Sequence, residues 1–225
     1  MTIEGTPVAV ESVREVGPGT VALELETPEG FDARPGQFVL LRAVPGVEDQ
    51  TSGGHDEDDI VMRHYTLSSP AAGETFEITV GIDPDGDLSP WLADLEGGET
   101  VHVDGPFGTI TYEGDEDVVA VAGGPGVGPA VSIAEAAHES GHEAVVVYQD
   151  DEPAHVDRLE ALEDAGANVV ILDEDDSDGL AEAIESHRAD GQLYAFGFED
   201  FVRFVADTID EDGGDSDEAL IENFG

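Results

Sequence analysis

The sequence predicts a β plus α/β chain: an N-terminal six-stranded antiparallel barrel, then a five-stranded parallel doubly wound domain. Three observations predict it. The first half is punctuated by Gly and Pro, with short β-type runs between them and one short helix candidate. The second half changes period at Val118, where apolar runs begin to alternate with helical stretches. Apolar residues make up 40% of the 225 positions, enough for a buried core and unlike acidic disordered sequences.

The elements follow in order. Runs 6–16, 20–26, 37–44, 60–68, 75–82 and 99–103 have the composition of strands. Within 20–26, Val21, Leu23 and Leu25 alternate with Glu24 and Glu26, the mark of a half-buried strand. Residues 89–95 form the helix candidate, and 46–59 is a polar insertion expected in a surface loop. A pattern switch near Glu113-Gly114-Asp115-Glu116 divides the chain into 1–113 and 114–225. Beyond it come a strand at 118–122, a Gly-rich turn and an Ala-rich helix to about 139. Strands at 144–148, 168–172 and 193–196 then alternate with helices at 155–165, 180–187 and 199–209, before a last strand at 219–224. The acidic runs 173–178 and 211–218 are expected to be solvated loops.

Asp and Glu number 54 against 7 Lys and Arg, for a formal net charge of −47, and no Lys occurs. Such a charge excludes a nucleic-acid binder that works by neutralising phosphates and argues against docking on anionic lipid. No apolar run reaches the roughly 18 residues of a membrane-spanning helix. The opening Met1-Thr2-Ile3-Glu4-Gly5 lacks the basic and apolar regions of a secretory signal, so a cytoplasmic location is expected. Cys is absent, which excludes disulfides, Cys-ligated zinc, iron–sulfur clusters and thiol nucleophiles. Redox chemistry in this chain must come from a bound organic cofactor. The acid is spread along the whole sequence. At molar salt the Debye length falls to roughly 3 Å and self-repulsion largely disappears, so the charge points to a salt-loaded, halophilic cytoplasm.

The strongest local signal is Arg63-His64-Tyr65-Thr66-Leu67-Ser68-Ser69, in and just after a barrel strand. It offers a guanidinium for a phosphate, an aromatic ring and hydroxyls at short spacing. That set suits a flavin nucleotide: Arg63 to the pyrophosphate, Tyr65 against the ring system, Thr66 near N5. Pro35-Gly36-Gln37-Phe38 precedes it, and Gly86-Asp87-Leu88-Ser89-Pro90-Trp91-Leu92 follows, a Gly turn opening a short helix. Gly105-Pro106-Phe107-Gly108 closes the barrel half. Ala122-Gly123-Gly124-Pro125-Gly126-Val127-Gly128-Pro129 then stands between strand and helix, where a dinucleotide's phosphates would sit.

In this order the segments resemble the ferredoxin–NADP reductase superfamily, which includes NAD(P)H:flavin reductases, and the resemblance spans nearly the whole chain. It implies a flavin-binding barrel followed by a pyridine-nucleotide domain, with FAD as cofactor and NADH or NADPH as hydride donor. Arg63, Tyr65, Thr66 and Ser69 fall on the R-x-Y-[ST]-x-x-S signature. Gly86 and Ser89 fall on the pyrophosphate-binding turn, and Gly123, Gly124, Gly126 and Pro129 on the nucleotide turn. Glu222 and Phe224 look like the C-terminal acid-x-aromatic ending, where the ring can cover the flavin and the acid can assist a proton or the nicotinamide pose. Two departures stand out. Phe196-Gly197-Phe198 replaces a frequent Cys-Gly-Pro, putting Phe196 where a thiol is common. Gln149-Asp150-Asp151-Glu152 stands where NADP-selective members tend to carry Arg; acid at Asp150 should repel a 2′-phosphate and accept a ribose hydroxyl, favouring NADH. The implied activity is NAD(P)H-dependent flavin oxidoreduction, with a ferredoxin, free flavin or another redox protein as acceptor. Use of free flavin as substrate, or a non-catalytic electron-transfer subunit, are the alternatives. Pyrimidine-pathway subunits of the superfamily carry a Cys cluster near the C-terminus, and its absence here excludes that version.

Three other features are expected to be structural. His138-Glu139-Ser140-Gly141-His142 matches H-E-x-x-H, but Gly141 falls where the helix should end. Asp83-Pro84-Asp85-Gly86-Asp87 hints at a calcium loop, with its Gly misplaced and no closing Glu; a tight turn is expected. His64 is expected to be a spacer with its ring turned aside, and Trp91 a packing residue.

Overall fold

The computed structural model describes residues 3–47, 50–51, 56 and 59–224. Most of the polar insertion at 46–59 therefore lies outside the described residues.

Six strands make the first sheet: β1 (Thr6–Gly17), β2 (Thr20–Glu26), β3 (Phe38–Ala43), β4 (Val61–Thr66), β5 (Thr75–Gly81) and β6 (Thr100–Phe107). They pair in the order β4-β3-β6-β1-β2-β5, every pairing antiparallel. The chain just past β4 closes the barrel onto β5 through a Leu67–Ile78 bridge and a Ser68 N–H donating to the Glu77 carbonyl at 2.8 Å. Alternation decides which side chains fill it. Val21, Leu23 and Leu25 of β2 are buried, while Glu24 and Glu26 face out. β1 serves two neighbours by bending at register shifts between Val10 and Ser12 and between Glu15 and Gly17. Helix α1 (Ser89–Ala93) buries Leu92, and Leu88 just before it, in the same core. β6 outruns its expected end at Val103, because the chain through Gly105 and Pro106 keeps its pairing with β3 up to Phe38–Phe107.

The second sheet comprises β7 (Val118–Gly123), β8 (Ala144–Gln149), β9 (Asn168–Leu172), β10 (Gln192–Gly197) and β11 (Leu220–Asn223), all parallel, in the order β11-β10-β7-β8-β9. Helices α2 (Val127–Glu139), α3 (Val156–Asp164), α4 (Ser177–His187) and α5 (Glu199–Glu211) cover it. Both faces are covered, so β7 and β8 are buried at every position and carry no polar alternation. Ala120, Ala122, Val146 and Tyr148 pack toward α2 and α3, and Val119, Val121, Val145 and Val147 toward α4 and α5. Helix α4 starts at Ser177, three residues earlier than the apolar pattern indicates. Asp176 caps it by accepting from Gly179 N at 2.9 Å, so Asp178, expected in a loop, lies in the first turn, where the helix dipole favours an acid. Glu211 likewise belongs to α5, and Ser216–Glu218 forms a 3-10 turn inside the second acidic run. Among the described residues, no helix is long and apolar enough to cross a membrane.

Polar contacts fasten the two domains. Arg158 of α3 holds Glu135 through two nitrogens, at 2.7 and 2.6 Å, and reaches across to Glu77 Oε1 at 3.0 Å and the Ser68 carbonyl at 2.7 Å. His155 meets Thr79 Oγ1 at 2.8 Å, and its backbone N–H donates to the Val16 carbonyl at 2.8 Å. Burial, with Arg158 and Arg14 nearby, drives the His155 imidazole down to about 3, so it stays neutral.

Candidate active site

Two clefts open in the structure, the first where the domains meet and the second within the nucleotide-fold domain. The first, about 510 Å³, receives Arg63, His64, Tyr65 and Thr66 from β4, and Thr79 and Gly81 from β5. Gly86 and Ser89 enter from the turn before α1, and Pro125, Pro129, Phe198, Glu222 and Phe224 from the nucleotide-fold domain.

Arg63 is set apart by what it lacks. Arg14, Arg34, Arg42, Arg158, Arg188 and Arg203 each hold a carboxylate. Among the described residues Arg63 alone does not, although the chain has 54 acids; it donates to the Met62 carbonyl at 2.8 Å. Its charge faces the cleft beside Tyr65, whose phenol burial pushes up to about 12, partly opposed by Arg63. The Tyr65 phenol therefore keeps its proton and can donate it.

Thr66 Oγ1 donates to Glu222 Oε1 at 3.1 Å, joining residues 156 positions apart. The other oxygen, Oε2, is buried without a partner. Burial raises the Glu222 carboxyl to about 7, against a lowering by the Thr66 hydrogen bond. Phe224 follows: its N–H donates to the Gly197 carbonyl at 3.0 Å, and its ring stands edge-on to Phe198, centroids 6.2 Å apart. The back of that ring packs on the second-domain core.

The Asp83–Asp87 segment is a tight turn as expected. Gly86 N donates to the Asp83 carbonyl and Asp85 N to Asp83 Oδ1, each at 3.0 Å. Ser89 Oγ accepts from Asp83 N at 3.0 Å, so its own proton remains to be donated. His64 sets its ring edge-on to Phe38, centroids 5.2 Å apart, and Trp91 packs on the barrel core. Helix α2 stops at Glu139, with Gly141 at φ +85°, so His142 lies beyond the helix that H-E-x-x-H requires; it pairs with Asp117 instead, at 3.4 Å.

One residue expected with this group stands elsewhere. Ser69 accepts from Glu77 N at 3.1 Å and presents its carbonyl to Ser132 Oγ at 2.8 Å, beside Arg158 and outside the first cleft. The chain turns at Ser68 to close the barrel, and this carries Ser69 toward α2.

The second cleft, also about 510 Å³, lies at the strand ends around β7, where the order of the sheet reverses. Gly123, Gly124, Gln149, Asp150 and Glu174 line it with Ser177, Asp200 and a wall of Leu180, Phe201 and Phe204. Gly124 sits at φ +55°, a region that favours glycine. Gly126 lies outside the cleft, but a Cβ there would fall 2.2 Å from the Phe196 carbonyl, so only glycine lets the turn pass beneath β10. Asp150 is already engaged: Oδ1 accepts from Glu152 N at 2.9 Å and Oδ2 from the Tyr148 hydroxyl at 3.0 Å. These bonds fix its carboxylate at the cleft wall.

Phe196, singled out as the replacement for a thiol, is fully buried and packs with α2. Phe198 does what sequence reasoning assigned to neither ring. It is 54% exposed and lines both clefts. Alternation along β10 would put both rings on one face; the end of the strand at Gly197 is what releases Phe198 while Phe196 stays toward α2. Thr79 was also missed; its neighbours in sequence, Ile78 and Val80, mark only a core strand.

An unpaired guanidinium, an orphaned carboxyl oxygen and hydroxyl donors around one cleft fit a flavin dinucleotide. A second cleft at a Gly-rich switch point fits a pyridine nucleotide. Fold and sites thus describe a chain with a flavin-type cleft on its barrel and a nucleotide-type cleft on its parallel sheet. Residues 7–112 match the oxidoreductase FAD-binding domain family. The probable dihydroorotate dehydrogenase B (NAD(+)), electron transfer subunit of Methanopyrus kandleri is 28% identical over 222 residues, covering 94% of this chain and 77% of that protein. The glycine betaine monooxygenase reductase subunit of Chromohalobacter salexigens is 38% identical over 119 residues, 51% of this chain, but the match covers only 29% of that longer protein. A ferredoxin NADP+ reductase from Neisseria gonorrhoeae, solved with FAD and NADP bound, superposes with a TM-score of 0.77 at 18% identity, over 98% of each chain. Residues 7–112 thus match that FAD-binding domain family, and the chain as a whole shares the fold of the reductase.

Proposed function

We propose that the protein oxidises NADH through FAD and hands the electrons to a ferredoxin, free flavin or another redox protein. The observation that carries this reading is Arg63, left without a carboxylate in so acidic a chain and turned into the first cleft. Residues 1–113 hold the flavin and 114–225 the nucleotide. When bound, FAD would supply the redox chemistry between the nicotinamide hydride donor and the acceptor. Arg63 binds the pyrophosphate, with Gly86 and Ser89 donating from the turn. Tyr65 would lie against the ring system and Thr66 near N5, its hydroxyl bonded to Glu222. Glu222, near neutrality in its proton affinity, holds or yields a proton beside Thr66. Phe224 covers the face that nicotinamide must reach, and Phe198 supports it. Gly123, Gly124, Gly126 and Pro129 shape the nucleotide turn. Ser69 acts indirectly, by fixing the end of the flavin segment against Glu77.

Asp150 supports NADH as donor. No arginine lines the second cleft, while Asp150, Glu174 and Asp200 do. A 2′-phosphate meets like charge there, and a free ribose hydroxyl meets acceptors.

The decisive experiment is the visible spectrum of protein purified at high salt, followed by anaerobic NADH. A yellow protein bleached by NADH is expected. A colourless protein that turns over NADH only with added flavin shifts the assignment to free-flavin reduction. Bound flavin that NADH does not reduce favours a binding-only subunit. That second reading has its own support: the similarity across 94% of the chain is to an electron transfer subunit, of the type the missing Cys cluster argued against.

The charge supports a halophilic, cytoplasmic protein. Seven arginines leave most of the acids to be screened by mobile ions. Melting curves from molar to millimolar KCl should show loss of structure at low salt, and an unchanged melting temperature would contradict this.

A further inference from the structure

The α4/α5 face of the parallel sheet is built from valines, Val119 and Val121 on β7 and Val145 and Val147 on β8. The two-residue period of a strand places Gly123 and Gln149 next on this face, paired in register. Gly123 has a steric reason: a Cβ there would fall 2.7 Å from the Phe201 ring. Gln149 has no such reason. It stands where the stripe calls for another valine, is 8% exposed, and its Nε2 has no hydrogen-bond partner. An unpartnered buried amide donor opposes folding, so packing does not account for it.

The amide borders the second cleft, whose lining gives the ligand's chemistry. Leu180, Phe201 and Phe204 offer an apolar wall to a flat ring. Asp150, Glu174 and Asp200 accept from hydroxyls and turn away added negative charge. Beside the Ser177 hydroxyl, Gln149 adds an amide donor for an uncharged acceptor.

We propose that Gln149 reads the adenosine half of NADH, its side-chain amide donating to an uncharged ribose oxygen or base nitrogen. This rests on the NADH reading above. Three contributions then divide the nucleotide: the apolar wall takes the base, the carboxylates take ribose hydroxyls, and Gln149 fixes the register between them. The residue contributes to binding and is distant in role from the hydride step, so its loss falls on KM rather than kcat.

Gln149→Val completes the valine stripe, and Gln149→Met keeps the side-chain length without the donor. Each is compared with the parent protein at high salt, using NADH and reduced nicotinamide mononucleotide, which lacks adenosine. KM for NADH should rise roughly tenfold, as for one lost hydrogen bond. KM for the mononucleotide and kcat should hold, and the melting temperature should stay or rise. An unchanged KM for NADH in both variants overturns the proposal. An equal rise with both donors overturns the adenosine assignment. A parent protein that NADH fails to reduce removes the NADH reading itself, and this inference with it, before any variant is made.

Discussion

The two clefts have the same volume, about 510 Å³, and opposite electrostatic designs. The barrel cleft keeps one arginine free of carboxylates and buries one carboxyl oxygen without a partner. The sheet cleft holds no arginine and sets three acids around an unpartnered amide. Both ligands expected here carry a pyrophosphate, so the difference lies in how its charge is met. The barrel cleft offers only the turn into the five-residue helix α1 and adds a side-chain cation. The parallel sheet ends in a Gly-rich turn running into α2, where backbone N–H groups and the helix dipole suffice. An acidic chain can therefore do without cations in one cleft and must protect one in the other.

Four measurements would break or sharpen this contrast, from the largest expected effect down. Arg63→Ala should weaken flavin retention far more than Arg203→Ala, whose side chain pairs with Glu199 and Asp200 on exposed α5. A charge-assisted contact is worth about 1.5–3 kcal/mol, and fluorescence titration at high salt reads it; equal retention would remove Arg63 from the site. Next, kcat/KM should favour NADH over NADPH, and Asp150→Ser should narrow the gap. A preference for NADPH would mean that a cation reaches the 2′-phosphate.

The third concerns pH. Glu222 has its carboxyl raised by burial to about 7, above its unfolded value. Its contribution to stability is thus full below the ordinary carboxylate range and is lost as pH rises through about 7. Glu222→Gln should remove that loss, so the variant's melting temperature gains on the parent's from pH 6 to 8. Turnover of the parent should titrate over the same interval, and that of the variant should not. A parallel pH dependence in both proteins would show that Glu222 does not titrate there. The smallest effect is at Phe224. Aromatic contacts contribute about 0.5–1.5 kcal/mol beyond burial, so Phe224→Ser should tighten apparent nicotinamide binding a few-fold and alter the flavin spectrum. A melting shift without spectral change would make the ring a packing residue only.

Much of the fold was legible because periodicity is local. The alternation at Val21–Glu26 gave β2 its bounds, and the apolar runs at 118–122 and 144–148 marked strands covered on both faces. The signature through Thr66 brought its first three side-chain groups to one cleft, since Arg63, Tyr65 and Thr66 need only one strand to carry them. Ser69 escaped because the chain turns at Ser68 to close the barrel, an event between β4 and β5 that no local spacing encodes. Gln149 left a readable trace, a polar residue ending a Val145, Val147 stripe, but its missing partner shows only in three dimensions.

By itself the sequence determined the two-part organisation, the order of elements and the chemistry on offer: a flavin-type strand motif, a Gly-rich switch turn and an excess of acid. These follow from hydrophobic period, turn residues and composition, which act over a few neighbours. The tertiary structure alone decided which groups meet. Thr66 finds Glu222 across 156 positions, Arg158 ties Glu135 to Glu77, and Phe198 rather than Phe196 faces the clefts. Such pairings depend on how separately patterned elements pack, and the burial that raises Glu222 or orphans Gln149 exists only once they have packed.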